Sequence, residues 1–239
     1  MEAAQLRDRL EEIHAEFEVP VSRLCRRMIR DREAARDAAQ QVWLEITRSL
    51  PSFDGRSRLS TWVWTVARRT VSRQASKEKT YSTRFLHEFF VLREDEGMPE
   101  LERVPVEDRV AWARLQCDEC LTGILHCLGN EDRFIYLLRV LGGLSFAEIA
   151  EIVECEEPAA RQAYSRGSRK LSRFLSGNCA LYNPDGDCRC KLKAPLRSLE
   201  SSLDYRRVRE LSKRMLFLEA AESFHPPKEY WRGFKEGLD

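Results

Sequence analysis

Apolar residues recur at helical spacing along most of this chain, a period that buries one face of an α-helix and suits no strand. Ala35, Ala39, Val42, Ile46 and Leu50 form one such stripe, in a helix expected from about Arg32 to Leu50 and ended by Pro51. Leu6, Leu10, Ile13 and Phe17 form another over residues 5–29, with an interruption expected near Pro20. A third helix is expected from Ser60, as N-cap, to about Gln74, with Trp62, Val63, Val66, Ala67 and Val71 facing inward and Trp64 left open. Only 11 glycines and 9 prolines punctuate 239 residues, and β-branched runs are few. The fold class is therefore all-α.

The second half carries sharper signals. Asn130, followed by Glu131 and Asp132, opens a helix that stops at Gly142-Gly143. Ser145 and Glu148 form a capping box, and Pro158 stands in the first turn of the next helix, where its missing N–H costs nothing. Residues 144–171 thus fit a helix-turn-helix, with Leu144, Ile149, Ile152 and Val153 packing the first helix and Ala150 small at the crossing. The second helix bears Arg161, Gln162, Ser165, Arg166 and Arg169, types that pair with base edges or hold phosphates in a major groove.

A formal net charge of +1 conceals a strong asymmetry. Residues 66–84 gather Arg68, Arg69, Arg73, Lys77, Lys79 and Arg84 against Glu78 alone, and residues 161–173 are purely basic among their charges. Between them, residues 94–108 are acidic, with Pro99 and Pro105. Two basic segments and an acidic connector point to two polyanion-binding surfaces. No apolar run reaches the roughly 18–20 residues that span a bilayer, and the N-terminus lacks a signal peptide's apolar core, so a cytoplasmic protein without membrane insertion is expected.

Two blocks now resemble a known family. DREAARDAAQQVWLEITRSLPSFDGRSRLSTWVWTVARRTV resembles region 2 of the sigma-70 family of bacterial RNA polymerase sigma factors, through Asp37, Gln40, Phe53, Gly55, Ser57, Thr61, Trp62, Ala67 and Arg68. FIYLLRVLGGLSFAEIAEIVECEEPAARQAYSRGSRKL resembles region 4 of the same family, in the same order along the chain. The compact extracytoplasmic-function subfamily fits this layout. The resemblance implies region 2 over 1–85, an acidic linker over 86–108, region 4 over 109–177 and a cysteine-containing helical extension over 178–239. It implies binding to the polymerase core (the clamp of the largest subunit and the flap of the second) and to promoter DNA, and it allows a separate anti-sigma protein. Polymerase contacts fall on Asp37, Gln40 and Gln41. Contacts to the −10 element fall on Asp54, Gly55, Arg56, Ser57, Arg58, Trp62, Trp64, Arg68, Arg69 and Arg73. Contacts to the −35 element fall on Arg161, Gln162, Ser165, Arg166 and Arg169. Three departures stand out: Arg69 where the family has Asn, Ser72 where Asp is frequent, and Glu154 where the turn of the helix-turn-helix has Gly.

Eight cysteines in such a chain do not read as a disulfide framework. Cys179, Cys188 and Cys190 supply three soft ligands in a loop rich in Pro, Gly and Asn, and zinc needs a fourth. Cys127 can complete the set, with Cys120 as the alternative ligand. A similar cysteine extension follows region 4 in a subgroup of these sigma factors. A metal-free pair of reduced or redox-active thiols remains open beside it. The tail from Leu199, amphipathic and then aromatic at Tyr230, Trp231 and Phe234, reads as packing on the body or as a built-in regulator. No catalytic triad, phosphate-cradling loop or carboxylate pair is evident, so an enzyme is not expected. Two rivals stay in view: a stand-alone helix-turn-helix regulator with a zinc- or redox-sensing tail, and a redox enzyme using Cys188 and Cys190.

Overall fold

The computed structural model describes residues 3–88 and 120–179, together with 183, 185 and 186, and among these there is helix and turn but no strand. Helix α1 runs over Ala3–Met28. Its buried stripe is Ile13, Phe17, Val21, Leu24, Cys25 and Met28. The interruption expected at Pro20 does not occur. Losing one helical hydrogen bond there costs about 3 kcal/mol, whereas burying Val21, Leu24 and Met28 beyond it returns about 2 kcal/mol each. Arg26 closes the end by donating to the carbonyl of Arg30 at 2.9 Å.

Helix α2, Arg32–Ser49, starts under the carboxylate of Asp31, which accepts from the Ala34 N–H at 2.7 Å. Ala35, Ala38 and Ala39 are buried, and such small side chains let α1 lie close. A single 3-10 turn, Leu50–Ser52, takes the chain past Pro51. Helix α3 spans Leu59–Ala75. Its first bond is Trp62 N–H to the Arg58 carbonyl at 3.0 Å, so Arg58 is the N-cap, and Ser60, expected there, sits inside the first turn. The face is turned from expectation as well: Trp64 is buried with Val63, Ala67 and Val71, while Trp62 and Val66 are half-buried. A short helix α4, Thr83–His87, follows Ser82 as N-cap and buries Leu86. The chain is thus still helical where a linker was expected to begin at residue 86. The rest of that acidic segment, and everything after residue 186, lies outside the described residues.

The described part of the second half comprises a helical segment at 120–125, then α5 (Asn130–Leu141), α6 (Phe146–Val153) and α7 (Glu157–Asn178). Both bonds of the Ser145/Glu148 capping box are made. Gly143 turns the chain with a φ of 63°, a conformation that favours glycine. Helix α7 crosses both α5 and α6, and buried Gly167 lets Leu128 approach, since a Cβ there would stand 3.3 Å from Leu128.

The two halves pack on each other through α1 against α5 and α3 against α6. Part of that junction is polar. Arg27 donates to Thr122 Oγ1 at 2.9 Å, Tyr81 N–H to the His126 carbonyl at 2.9 Å, and the Asn130 amide to the Ala75 carbonyl at 2.7 Å. Arg133 is wholly buried and reaches Asn130, yet its Nε and Nη1 have no hydrogen-bond partner. Such groups stabilise weakly and leave a contact that can be parted.

Candidate nucleic-acid interface

On α2 the apolar stripe faces α1, which leaves Asp37 and Gln40 exposed on the far side. Gln41 is half-buried and donates to Glu45 at 2.9 Å. Leu44, which the sequence reading passed over, extends the same outer face and is 51% exposed. Its signal was present: it falls off the Ala35, Ala39, Val42, Ile46 stripe and one turn beyond Gln40. An acid, an amide and a bare leucine in a row make a protein-binding face more readily than a nucleic-acid one.

The loop before α3 is drawn tight. Asp54 accepts from the Arg56 backbone N–H at 3.1 Å and from its guanidinium, and these bonds, the backbone one first, hold the Asp54 carboxyl below its usual range. Gly55 between them has a φ of 75°. Ser57 is half-buried, and Trp62 packs on Phe53 with ring centroids 5.0 Å apart. Along α3, Arg69 and Arg73 are exposed and Arg68 is half-buried. Trp64, by contrast, does not line this surface; it is 2% exposed, edge-on to Phe17. The loop and the outer side of α3 therefore bring together Arg56, Arg58, Trp62, Arg69 and Arg73, a set that suits an unpaired strand by charge and stacking.

Arg58 and Arg69 of that set, with Arg68 beside them, meet acids of α6 and the turn after it. Arg58 pairs with Glu148 at 2.8 Å, and Glu154 lies 3.3 Å from Arg68 and 3.9 Å from Arg69. Arg68 also donates to the Ile152 carbonyl at 3.1 Å. Glu148 is held below the usual carboxylate range, chiefly by the Ser145 hydroxyl and backbone N–H and then by Arg58. Nothing in residue spacing announces these contacts, because their partners are far apart along the chain.

On α7, Arg161, Gln162, Ser165, Arg166 and Arg169 are all exposed, as expected of a reading face. Arg161 lies over the Phe146 ring at 4.5 Å and pairs with Glu157, while Arg139 covers the same ring at 5.1 Å. Arg166 pairs with Asp132 at 3.2 Å. The turn into α7 is made by Glu154 at a φ of 59°, the left-handed conformation that the family's glycine adopts freely. Cys155 follows, half-buried, its N–H donating to the Ala150 carbonyl at 3.0 Å.

The cysteines divide by environment. Cys25 is buried in α1, and burial pushes its thiol up to about 12. Cys127 is also wholly buried and its thiol raised, which opposes the thiolate a metal requires. Cys120 and Cys179 are half-buried. Cys188 and Cys190 lie outside the described residues. Among the described residues no three Cys, His, Asp or Glu side chains converge as a metal site would need. His126 faces Glu78, with its Nε2 3.2 Å from Oε2, and so belongs to the junction of the halves.

The profile of Sigma-70 region 2 matches residues 15–80, and that of Sigma-70, region 4 matches residues 118–171. The chain is 26% identical over 153 residues to the ECF RNA polymerase sigma factor SigX of Bacillus subtilis (62% of this chain, 74% of that protein). It is 26% identical over 147 residues to the RNA polymerase sigma factor YlaC of the same organism (62% of this chain, 80% of that one). In fold it is similar to a solved chain described as CnrH in complex with the cytosolic domain of CnrY. That likeness has a TM-score of 0.52 and 16% identity, over 73% of this chain and 94% of that one.

Proposed function

We propose, from the premise that the chain belongs to the sigma-70 family, that it directs RNA polymerase to promoters as a compact factor of the extracytoplasmic-function type. One observation carries this reading: a single chain presents two separate basic surfaces, on α3 and α7, together with the Asp37, Gln40, Leu44 face on α2. The α2 face docks on the polymerase clamp. Helix α7 enters the major groove of the duplex −35 element, and the Asp54–Arg58 loop with Trp62, Arg69 and Arg73 holds unpaired −10 bases. All of this is binding work, and no bond-making step is asked of the chain. No described helix is long and apolar enough to cross a membrane.

Transcription from a pool of promoter sequences by purified polymerase core tests the reading. Defined start sites should arise only when the chain is added. Equal transcription without it would sink the proposal, and failure to bind core would favour a stand-alone helix-turn-helix regulator.

The cysteine extension is proposed as a zinc clasp on region 4. Its support is local. After α7 the Asn183 N–H bonds the Cys179 carbonyl at 2.8 Å, and a Cβ on Gly186 would meet Cys179 backbone atoms at 2.7 Å, so the chain doubles back onto Cys179. Cys188 comes two residues later. With Cys179, Cys188 and Cys190 as three ligands, the more exposed Cys120 suits the fourth place better than buried Cys127.

A further inference from the structure

The basic surface of α3 runs on beyond the helix. Arg69, Arg73 and Lys77 stand four residues apart, so they follow one side of α3 and the turn after it, and all three are exposed. Lys79 and Arg84 come next and are exposed as well. Glu78, the single acid of residues 66–84, is turned inward. Its side chain is 17% exposed, accepts the Arg30 backbone N–H at 3.2 Å and faces His126. The charges that this stretch turns outward are therefore positive.

Two rings stand at the end of this track. Tyr81 and Phe85 stack with centroids 4.9 Å apart and planes 18° from parallel. Ser82 accepts from the Phe85 N–H at 3.0 Å, which fixes the turn between them. Arg30, just past α1, steadies Tyr81: it donates to the phenol oxygen at 2.7 Å, and its guanidinium lies 5.1 Å from the ring centroid. Helix α4 packs through Leu86, which leaves Phe85 43% exposed. Val19 and Leu44 are the other large apolar side chains so exposed among the described residues, and neither is aromatic. A ring backed by a second ring and flanked by cations suits a planar base whose phosphates need neutralising; an apolar protein partner would find charge where it needs none.

We infer that Tyr81 and Phe85 form a second stacking ledge for single-stranded DNA, where an unpaired base lies against Phe85 while Arg73, Lys77, Lys79 and Arg84 hold the phosphates leading to it. The inference deepens the promoter reading and rests on it. Trp62, in the first turn of α3, takes the strand at one end, and the ledge takes it past the other. The 17-residue helix between them is about 25 Å long. Arg84 joins by exchange: it pairs with Glu88 at 3.0 Å, both side chains well exposed, and a phosphate replaces such a surface partner at little cost.

The test uses the full chain bound to polymerase core and two fluorescent single-stranded oligonucleotides. One is the −10 sequence found in the transcription experiment; the other is lengthened at each end by about eight nucleotides, enough at 3.4 Å per stacked nucleotide to span α3. Wild type should bind the longer strand tighter. Phe85→Ala should weaken that binding about five- to hundredfold, the range for a base–aromatic stack, and leave its salt slope unchanged. Phe85→Trp should restore the affinity, whereas Lys79→Gln with Arg84→Gln should reduce the salt slope. Equal affinity of Phe85→Ala and wild type for the longer strand overturns the ledge. So does an equal loss when the same sequence is offered as duplex, or a loss of core affinity without DNA, which would make Phe85 a polymerase contact. Failure of the underlying reading looks different. If Trp62→Ala and Arg69→Ala leave both strands bound as before while Phe85→Ala weakens the longer one, the assignment of α3 falls and the ledge stands. If the first two weaken both strands and Phe85→Ala weakens neither, the ledge alone falls.

Discussion

The side-chain amide of Asn130 donates to the carbonyl of Ala75 at 2.7 Å, joining the first residue of α5 to the last residue of α3. The same side chain accepts from buried Arg133. Asn130→Ala therefore leaves the Ala75 carbonyl with the Glu78 N–H alone, at 3.0 Å, and takes away the hydrogen-bond acceptor of a buried guanidinium. It should lower stability by roughly 2 kcal/mol in urea titration. An unchanged midpoint would mean that the junction contributes nothing to folding.

Acid should loosen the same junction. His126 is fully buried, and burial, followed by the charge of Arg133, lowers its pKa to about 4. Its Nδ1 donates to the Thr122 carbonyl at 2.7 Å. Hydrogen bonding to the Thr122 and Met28 backbone opposes the shift, and Glu78 faces Nε2 at 3.2 Å without a hydrogen bond. Arg30 on the other side adds to the lowering. The unfolded chain therefore binds the proton first. Stability is full above about pH 6.5 and falls as the pH drops toward 4, by about 3 kcal/mol if nothing else titrates. His126→Gln should flatten that part of the pH–stability curve.

Reversing the charge of Asp37 should cost polymerase affinity. Asp37→Arg sits on an exposed face with Gln40 and Leu44, so the fold should persist while core binding weakens roughly tenfold. Leu44→Ala should weaken binding without changing its salt dependence. Circular dichroism and a core-binding titration together separate these effects from misfolding.

The assignment of α7 to the −35 element implies two kinds of contact. Replacing a base-contacting arginine, such as Arg161, by Ala should cost roughly 1–3 kcal/mol and relax one position of the −35 sequence. A phosphate-contacting one should weaken all sequences alike and reduce the salt slope. If Arg161→Ala and Arg166→Ala both leave duplex affinity and its salt slope untouched, the wrong face of α7 has been placed in the groove.

Metal analysis of anaerobically purified protein should return about one zinc per chain. Cys188→Ser, Cys190→Ser and Cys120→Ser should each reduce it, whereas Cys127→Ser should not. Metal-free protein of equal stability would remove the clasp and leave the promoter reading in place.

Much of the fold was legible because its causes are local. The Ser145/Glu148 box, the Gly142-Gly143 stop, Pro158 and the stripe of α2 each act within a turn or two of chain. Pro20 misled because its penalty is local while the burial that outweighs it comes from packing α1 on α2 and α3. That Trp64, left open by the sequence, is the more buried of it and Trp62 was hidden for a related reason. Either can face inward on a helix so rich in apolar residues, and Phe17 with Gly142 decides for Trp64. The exposed basic face of α7 was visible as a run of arginines. Their acidic partners were not, since the pairing of Arg68 with Glu154 spans 86 positions of sequence.

Phe146 carries a consequence for how this protein can diversify. Its ring lies beneath Arg161 and Arg139, so the side chain proposed to face the groove is steadied from a neighbouring helix. On that proposal selectivity is a shared property of two helices, and a change at Phe146 should retune which base Arg161 prefers without any residue at the DNA surface being replaced. Paralogues can drift toward new promoters by altering the rest beneath the finger, leaving the finger itself untouched.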